Sequence, residues 1–299
     1  MTSLAPRVVL VTRPSEFERF LALHGTRGQA EFFLKQRGQN LARLEQQSEQ
    51  LVAALTAAKQ AVPEEWTITH IMRDDLDRFL FSQRDIVIAI GQDGLVANLA
   101  KYLSGQPVIG VTPAPGESEG ILTSLGVERL KSLLPKVAHQ DIGLQHRAMV
   151  EAKLDNGQSL VALNELFIGH QSHQSARYLM QFDGREEYQS SSGVIVSTGT
   201  GLTGWAKSIL TATHRTISIA PEDQRAVYFT REPWPSSTTG NDLAFGEVDG
   251  QGGVALVSRM NDGGTIFADG IEQDFLHFDW GVQARIGLSD QTLNLVMDG

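Results

Sequence analysis

Asp85-Ile86-Val87-Ile88-Ala89-Ile90-Gly91-Gln92-Asp93-Gly94 is the stretch on which the fold turns. Its first six residues are almost continuously apolar and mostly β-branched, without the alternation of a half-exposed strand, so they read as a strand buried on both faces. Two glycines around Gln92 and Asp93 end it, and a helix is expected from there to about Leu103. Working outward, Arg7–Thr12, Trp66–Thr69 and Pro107–Val111 are short strand patterns, while 27–38, 41–60, 74–81 and 127–138 read as helices. In the second of these, Leu41, Leu44, Leu51, Leu55 and Ala58 recur at roughly helical spacing among Gln and Glu. Strands alternating with helices give a parallel sheet of doubly wound type. Near residue 145 the texture changes. Short strand candidates at 149–153, 159–168, 176–182, 193–197, 216–219, 226–229, 253–258 and 265–268 are split by Gly, Asp and Asn, with a single helix near 204–212. Two domains are therefore expected, 1–145 and 146–299, the extreme C-terminus being free to return to the first.

With 299 residues, 41% of them hydrophobic and 20% charged, the chain can bury a substantial core. Lys and Arg total 25 against 35 Asp and Glu, a net charge of −10, which argues against nucleic acid as the main partner. A nucleotide substrate stays open, because a few local groups can hold one. The absence of cysteine excludes disulfides, thiolate nucleophiles and Cys-based zinc sites. No apolar run approaches the ~18 residues of a membrane helix, and Met1–Pro14 has no signal-peptide core. A cytoplasmic enzyme without membrane contact is the expectation.

Four segments carry candidate chemistry. Asp93, flanked by Gly91 and Gly94, follows a parallel strand, where α/β sheets bind ligands; it reads either as an acceptor for a substrate hydroxyl proton or as an N-cap for a helix beginning near Leu95. Asn164 and Glu165 interrupt an apolar strand, which is costly unless a ligand or a structural hydrogen bond satisfies them. Ser197-Thr198-Gly199-Thr200-Gly201-Leu202-Thr203-Gly204-Trp205 runs from a strand into a helix whose first amides suit a phosphate, or else forms an ordinary Thr-capped connection. It is no Walker A loop, since Gly-Lys-Ser/Thr is absent. The Asp262-Gly263 and Asp269-Gly270 pairs read as hairpin turns. His170 and His173 have metal-ligand spacing without a third ligand, so no metal site is expected.

Taken in order, these pieces resemble the NAD kinase family, in particular its mitochondrial-type branch and bacterial relatives labelled sugar kinases. The resemblance rests on Gly91-Gln92-Asp93-Gly94, Gly110-Val111-Thr112 with Ser118-Glu119-Gly120, and Ala162 to Gly169 containing Asn164-Glu165. It continues through Ser191-Ser192-Gly193, Ser197 to Gly201 and Asp262-Gly263-Gly264-Thr265, with Gly25 to Ala30 and Arg231-Glu232-Pro233 in support. It implies a Rossmann-like doubly wound α/β N-terminal domain, a Gly-rich β-sandwich-like C-terminal domain and a site in the cleft between them. The implied reaction is ATP-dependent phosphorylation of the adenosine ribose 2′-hydroxyl of NAD, with Mg²⁺ bound to the nucleotide and a homodimer or homotetramer as the assembly. By the same resemblance Asp93 is the catalytic carboxylate. Gly91, Gly94, Asn164, Glu165, Thr200, Thr203, Gly204 and Trp205 contact substrate, Trp205 standing where the family usually has Tyr. Gln92 replaces a family Gly, and if position 92 needed a positive φ the side chain would cost on the order of 1–2 kcal/mol. Thr112 replaces an Asn, and Leu202 a small polar residue. Two further readings remain: a nucleotide-binding regulatory protein without efficient transfer, and a kinase for another acceptor such as a sugar.

Overall fold

The structure, a computed structural model, describes residues 5–116, 120–250 and 252–297. Ser118 and Glu119 lie outside the described residues. The chain forms two compact units, Met1–Gln145 with Asn294–Gly299, and His146–Leu293.

The first unit contains β1 (Arg7–Thr12), α1 (Glu16–His24), α2 (Arg27–Gln36), α3 (Leu41–Ala61), β2 (Thr67–Met72), β3 (Asp85–Ile90), α4 (Asp93–Ala100), β4 (Pro107–Val111) and α5 (Leu130–Ala138). Its strands are parallel in the order β2-β1-β3-β4. All six residues of β3 are buried. Val8, Leu10, Ile86, Ile88, Ile90, Ile109 and Val111 pack against α3 and α5. The alternate side chains Val9, Val11, Val87, Ala89 and Val108 are equally buried, and α4 packs on β3 and β4. This is the α/β unit with a parallel sheet that the periodicity predicts. At the start of β3, Asp85 is almost fully buried and receives Arg7 Nε (2.9 Å), Arg7 Nη2 (2.5 Å) and the Ser82 amide (2.7 Å).

The second unit is antiparallel. It comprises β5 (Leu144–Leu154), β6 (Ser159–Ala162), β7 (Glu165–His170), β8 (Ala176–Phe182), β9 (Arg185–Ser191), β10 (Val194–Thr198), α6 (Trp205–Ala212), β11 (Arg225–Thr230), β12 (Phe245–Asp249), β13 (Gly253–Ser258), β14 (Gly264–Ala268), β15 (Ile271–His277) and β16 (Gln283–Val296). One sheet runs β12-β11-β10-β7-β14-β15; β16-β13-β8-β9, with β5 and β6, form the ladder that faces it. Leu166, Ile168, Val194, Val196, Tyr228 and Ile266 from the first meet Tyr178, Met180, Leu256 and Ile286 from the second in a common core. The outer face of the first sheet carries Phe167, Ile195, Val227 and Phe229, covered by Ala206 and Leu210 of α6. The end of β16 leaves this unit, and Asn294 and Leu295 pair in parallel with Pro107 and Val108 of β4.

Several sequence expectations need correction. Thr216–Ile219 is not a strand: Ile217 and Ile219 join the cluster under α6 without entering a ladder. The single strand expected at 159–168 is two, broken at Leu163-Asn164. The helix expected at 74–81 is a 3₁₀ turn at Arg73–Arg78. The polar strands β9, β12 and β15, the long β16 and the helix α1 had no reading in the sequence, because their exposed faces break the apolar patterns.

Arg7 is about a third exposed whereas Asp85 is buried, so removing the cation strands a carboxylate in the sheet. Arg7→Ala is expected to lower stability by about 2 kcal/mol, discounted from a fully buried pair for solvent screening. Urea denaturation with an unchanged m-value measures it.

Candidate functional site

In the first unit the Gly91–Gly94 turn lies at the carboxyl end of β3. Gln92 is the N-cap of α4, with φ −106° and ψ 163° and no side-chain capping bond. This is ordinary extended backbone, so the strain expected of a non-glycine residue here does not exist. Its carboxamide oxygen accepts a 2.5 Å hydrogen bond from Arg13 Nη2, just past β1. Burial lowers the Arg13 pKa, and the positive charges of Arg19 and Arg73 add to the effect.

Asp93, the first residue of α4, does not cap its own helix. Oδ1 accepts the Leu122 amide (3.0 Å), the Thr123 amide (2.9 Å) and the Thr123 hydroxyl (2.9 Å); Oδ2 accepts the Ile121 amide (2.8 Å). A carboxylate has about four lone-pair sites, two on each oxygen, so Oδ1 is saturated and Oδ2 keeps one acceptor direction. The loop approaches so closely that a Cβ on Gly110 would lie 1.7 Å from the Leu122 carbonyl oxygen. Gly94 faces open space. Thr112 is buried after β4; its amide donates to Leu125 O (2.9 Å) and its hydroxyl accepts from Ala114 N (3.4 Å).

In the second unit the break between β6 and β7 is organised by Asp269. Asp269-Gly270 forms the two-residue turn from β14 to β15, with φ 51° and 71°, the geometry of a type I′ hairpin. The Asp269 carboxylate accepts the Asn164 amide (2.6 Å) and the Leu163 amide (3.1 Å), and its own amide donates to Glu165 O (3.0 Å). On the other side, Thr198 donates to Asn164 O through its amide (2.9 Å) and to Leu163 O through its hydroxyl (2.6 Å). Gly201 closes against the same carbonyl: a Cβ there would lie 2.3 Å from Asn164 O. Asn164 and Glu165 are thereby held by their backbones, and neither side chain hydrogen-bonds another described residue. Glu165 is 8% exposed, and burial, with the negative charge of Asp269 behind it, pushes its pKa up to about 7.

Thr200 is buried, and its hydroxyl accepts from Arg147 Nη1 (3.4 Å). Thr203 donates its hydroxyl to Thr200 O (2.8 Å). Gly204 is the N-cap of α6 and offers no side-chain bond, while the Thr198 hydroxyl accepts the Gly201 amide (3.2 Å) at the head of the 3₁₀ turn before it. Trp205 opens α6 with its ring stacked on Phe167 (5.9 Å, 17°) and the Arg231 guanidinium 5.1 Å from its centre. The structure thus gathers Asn164, Glu165, Thr200, Thr203, Gly204 and Trp205 around one sheet break, and places Gly91, Asp93 and Gly94 at one strand end of the first unit. Asp269, Arg147 and Arg13 had no role in the sequence reading; the Asp-Gly turn at 269 was visible, but not what its carboxylate reaches. Among the described residues no three His, Asp, Glu or Cys side chains gather as a metal site, and the His170 Nδ1 accepts from Ser172 N (3.0 Å). No helix among them is long and apolar enough to cross a membrane.

The fold is a parallel α/β unit followed by a two-sheet antiparallel unit, with polar groups at the β3 end and at the β6–β7 break. Two solved NAD or NADH kinase structures share it. That of Archaeoglobus fulgidus, in complex with ATP, aligns over 97% of this chain and 93% of its own, with a TM-score of 0.61 and 17% identity. Yeast NADH kinase complexed with NADH covers 100% of this chain and 85% of its own, with a TM-score of 0.60 and 14% identity. In sequence, the NAD kinase of Chlorobaculum tepidum is 26% identical over 129 residues, 42% of this chain and 44% of the relative. The chain spans about half the length of the curated relatives it matches. No protein-family model matches it. The family resemblance read from the motifs is borne out: the curated relatives are NAD kinases, and the fold is theirs.

Glu165 generates a test. Its ordinary carboxyl value is 4.5 and its folded value about 7, so between them the folded state holds a proton that the unfolded state lacks. Stability from this residue is full below about pH 4.5 and is lost as pH rises through about 7. Across that window the wild type should lose up to about 3 kcal/mol relative to Glu165→Gln. Parallel thermal melts from pH 4.5 to 8 should show the two diverge between about pH 4.5 and 7 and stay a constant distance apart above that.

Proposed function

We propose that this chain is an ATP-dependent kinase that phosphorylates the adenosine ribose 2′-hydroxyl of NAD. The observation that carries the reading is the node at Asn164-Glu165: an unpaired carboxamide and a buried acid held on a rigid sheet break beside the Thr198–Trp205 loop. In a native fold such polar groups have partners, and a dinucleotide offers hydroxyls and ring nitrogens of the right kind. Asn164, Glu165, Thr200, Thr203, Gly204 and Trp205 contact the dinucleotide, and the bare N-terminus of α6 favours its phosphates. Trp205, already against Phe167, supplies a flat apolar wall.

Phosphoryl transfer asks for alignment and charge neutralisation. Asp93 Oδ2, with its remaining acceptor direction, orients the ribose hydroxyl and takes its proton as the bond to phosphorus develops. Gly91 and Gly94 leave the backbone of this turn open to approach. Arg13, held by Gln92, supplies positive charge at the same strand end. With no acidic cluster among the described residues, Mg²⁺ would arrive on the ATP phosphates, keeping most of its waters, and would neutralise their charge.

A coupled assay with ATP, Mg²⁺ and NAD, reading NADP, tests the reaction. NAD binding without NADP formation would instead support the non-catalytic nucleotide-binding protein. Asp93→Asn should reduce kcat by at least about 10²-fold. Because Asp93 also anchors residues 121–123, Thr123→Val serves as the comparison: it removes one anchoring bond and should retain turnover within several-fold. Equal loss in both variants would make Asp93 an anchor alone. Gln92→Gly frees Arg13 and relieves no strain, so it should raise the KM for ATP several-fold while the KM for NAD stays constant.

A further inference from the structure

Elsewhere in the second unit, β8, β9 and β13 present a concavity of about 340 Å³ lined by Arg177, Tyr188, Thr238, Thr239, Arg259 and Trp280. Its walls differ from the rest of the surface. Tyr188 and Trp280 are large, half-exposed rings, 49% and 57% accessible. The Arg259 guanidinium lies 5.3 Å from the Tyr188 ring centre and 5.1 Å from that of Trp280, and donates to the Tyr188 hydroxyl (3.2 Å). Its Nε is buried with no acceptor. Arg177 is on the adjoining strand, its carbonyl accepting the Arg259 amide (2.8 Å).

Neither arginine has a carboxylate partner among the described residues, in a chain whose acids outnumber its bases by ten, 35 against 25. The neighbouring acid on β9, Glu187, is committed elsewhere: it accepts from Gln189 Nε2 (2.6 Å), Asp242 N (2.9 Å) and Leu243 N (3.3 Å). Two guanidiniums without a carboxylate partner, lining one concavity, favour a dianion. A phosphate monoester matches two planar forks better than a single carboxylate does. The aromatic rim then adds a face for a flat ring, stacked or edge-on. Thr238 and Thr239 complete the lining.

We propose that this concavity is a second ligand site, independent of the reaction above, which binds a phosphate monoester carried on a planar ring. Arg177 and Arg259 take the phosphate, and Trp280 and Tyr188 take the ring. Its size admits one ring with its phosphate.

Phenyl phosphate is the probe, since it lacks the ribose and adenine of a dinucleotide. Calorimetry on the intact chain should show one site per chain, with quenching of tryptophan fluorescence that Trp280→Phe removes. Arg177→Gln, at an exposed position, should weaken binding about 10-fold without moving the thermal midpoint, and Arg259→Gln should do the same or more. Phenol and inorganic phosphate should each bind at least 10-fold more weakly than the joined molecule. Inorganic phosphate binding as tightly as phenyl phosphate would overturn the ring's role and leave a simple anion site. No binding, or binding unaffected by either arginine variant, would overturn the proposal. So would sedimentation showing that the surface is buried between copies of the chain, with Trp280→Phe releasing monomers. An NADP-forming assay on Arg177→Gln keeps the two functions apart: unchanged turnover with lost phenyl phosphate binding separates this site from the kinase reaction.

Discussion

A sheet cannot change strands in its interior without exposing amide groups that have lost their ladder, and the second unit meets this constraint at Leu163-Asn164. Asp269 accepts both amides from one side, while Thr198 donates to both carbonyls from the other. An unmet buried amide costs about 1–3 kcal/mol, so without this clamp the break would close into a continuous strand. A continuous strand would send Asn164 and Glu165 to opposite faces, since successive side chains alternate. The clamp therefore frees Asn164 and Glu165 from that alternation, next to the loop that follows β10.

The first unit uses the same chemistry. Asp93 takes three amides and a hydroxyl from residues 121–123, fixing a loop over the end of β3. In each unit a carboxylate bonded mainly to backbone sets the geometry of the candidate site. Neither bonding pattern follows from residue type. Asp93 sits where a cap would sit and caps nothing; Asp269 makes a hairpin turn and also holds a strand break over a hundred residues away in sequence.

The legibility of this chain follows from that distinction. Strands buried on both faces, such as β3, were plain in the sequence because burial forces an unbroken apolar run. β9, with Arg185, Glu186 and Glu187, was not, because its exposed residues erase the pattern that defines a strand. Asn164, Glu165 and Asp93 stood out as polar groups in apolar or Gly-rich settings. Their partners did not, since Asp269, Arg13 and Thr123 are ordinary residues until the fold brings them near. The strain expected at Gln92 was an inference from a family glycine, and the extended backbone at that position shows that a missing glycine need not mean a missing left-handed turn.

The path of β16 has a consequence for how the chain is made. Asn294 and Leu295 pair with Pro107 and Val108, so the parallel sheet of the first unit is completed by residues translated only after the whole of the second. Until then the β4 edge presents unpaired amides and carbonyls beside apolar Val108 and Ile109, a template on which another chain can align. Closing so long a loop is slow. The β4 edge is thus exposed for the whole synthesis of the second unit, and the solubility of the nascent protein rests on the few residues that follow that unit and cover the edge.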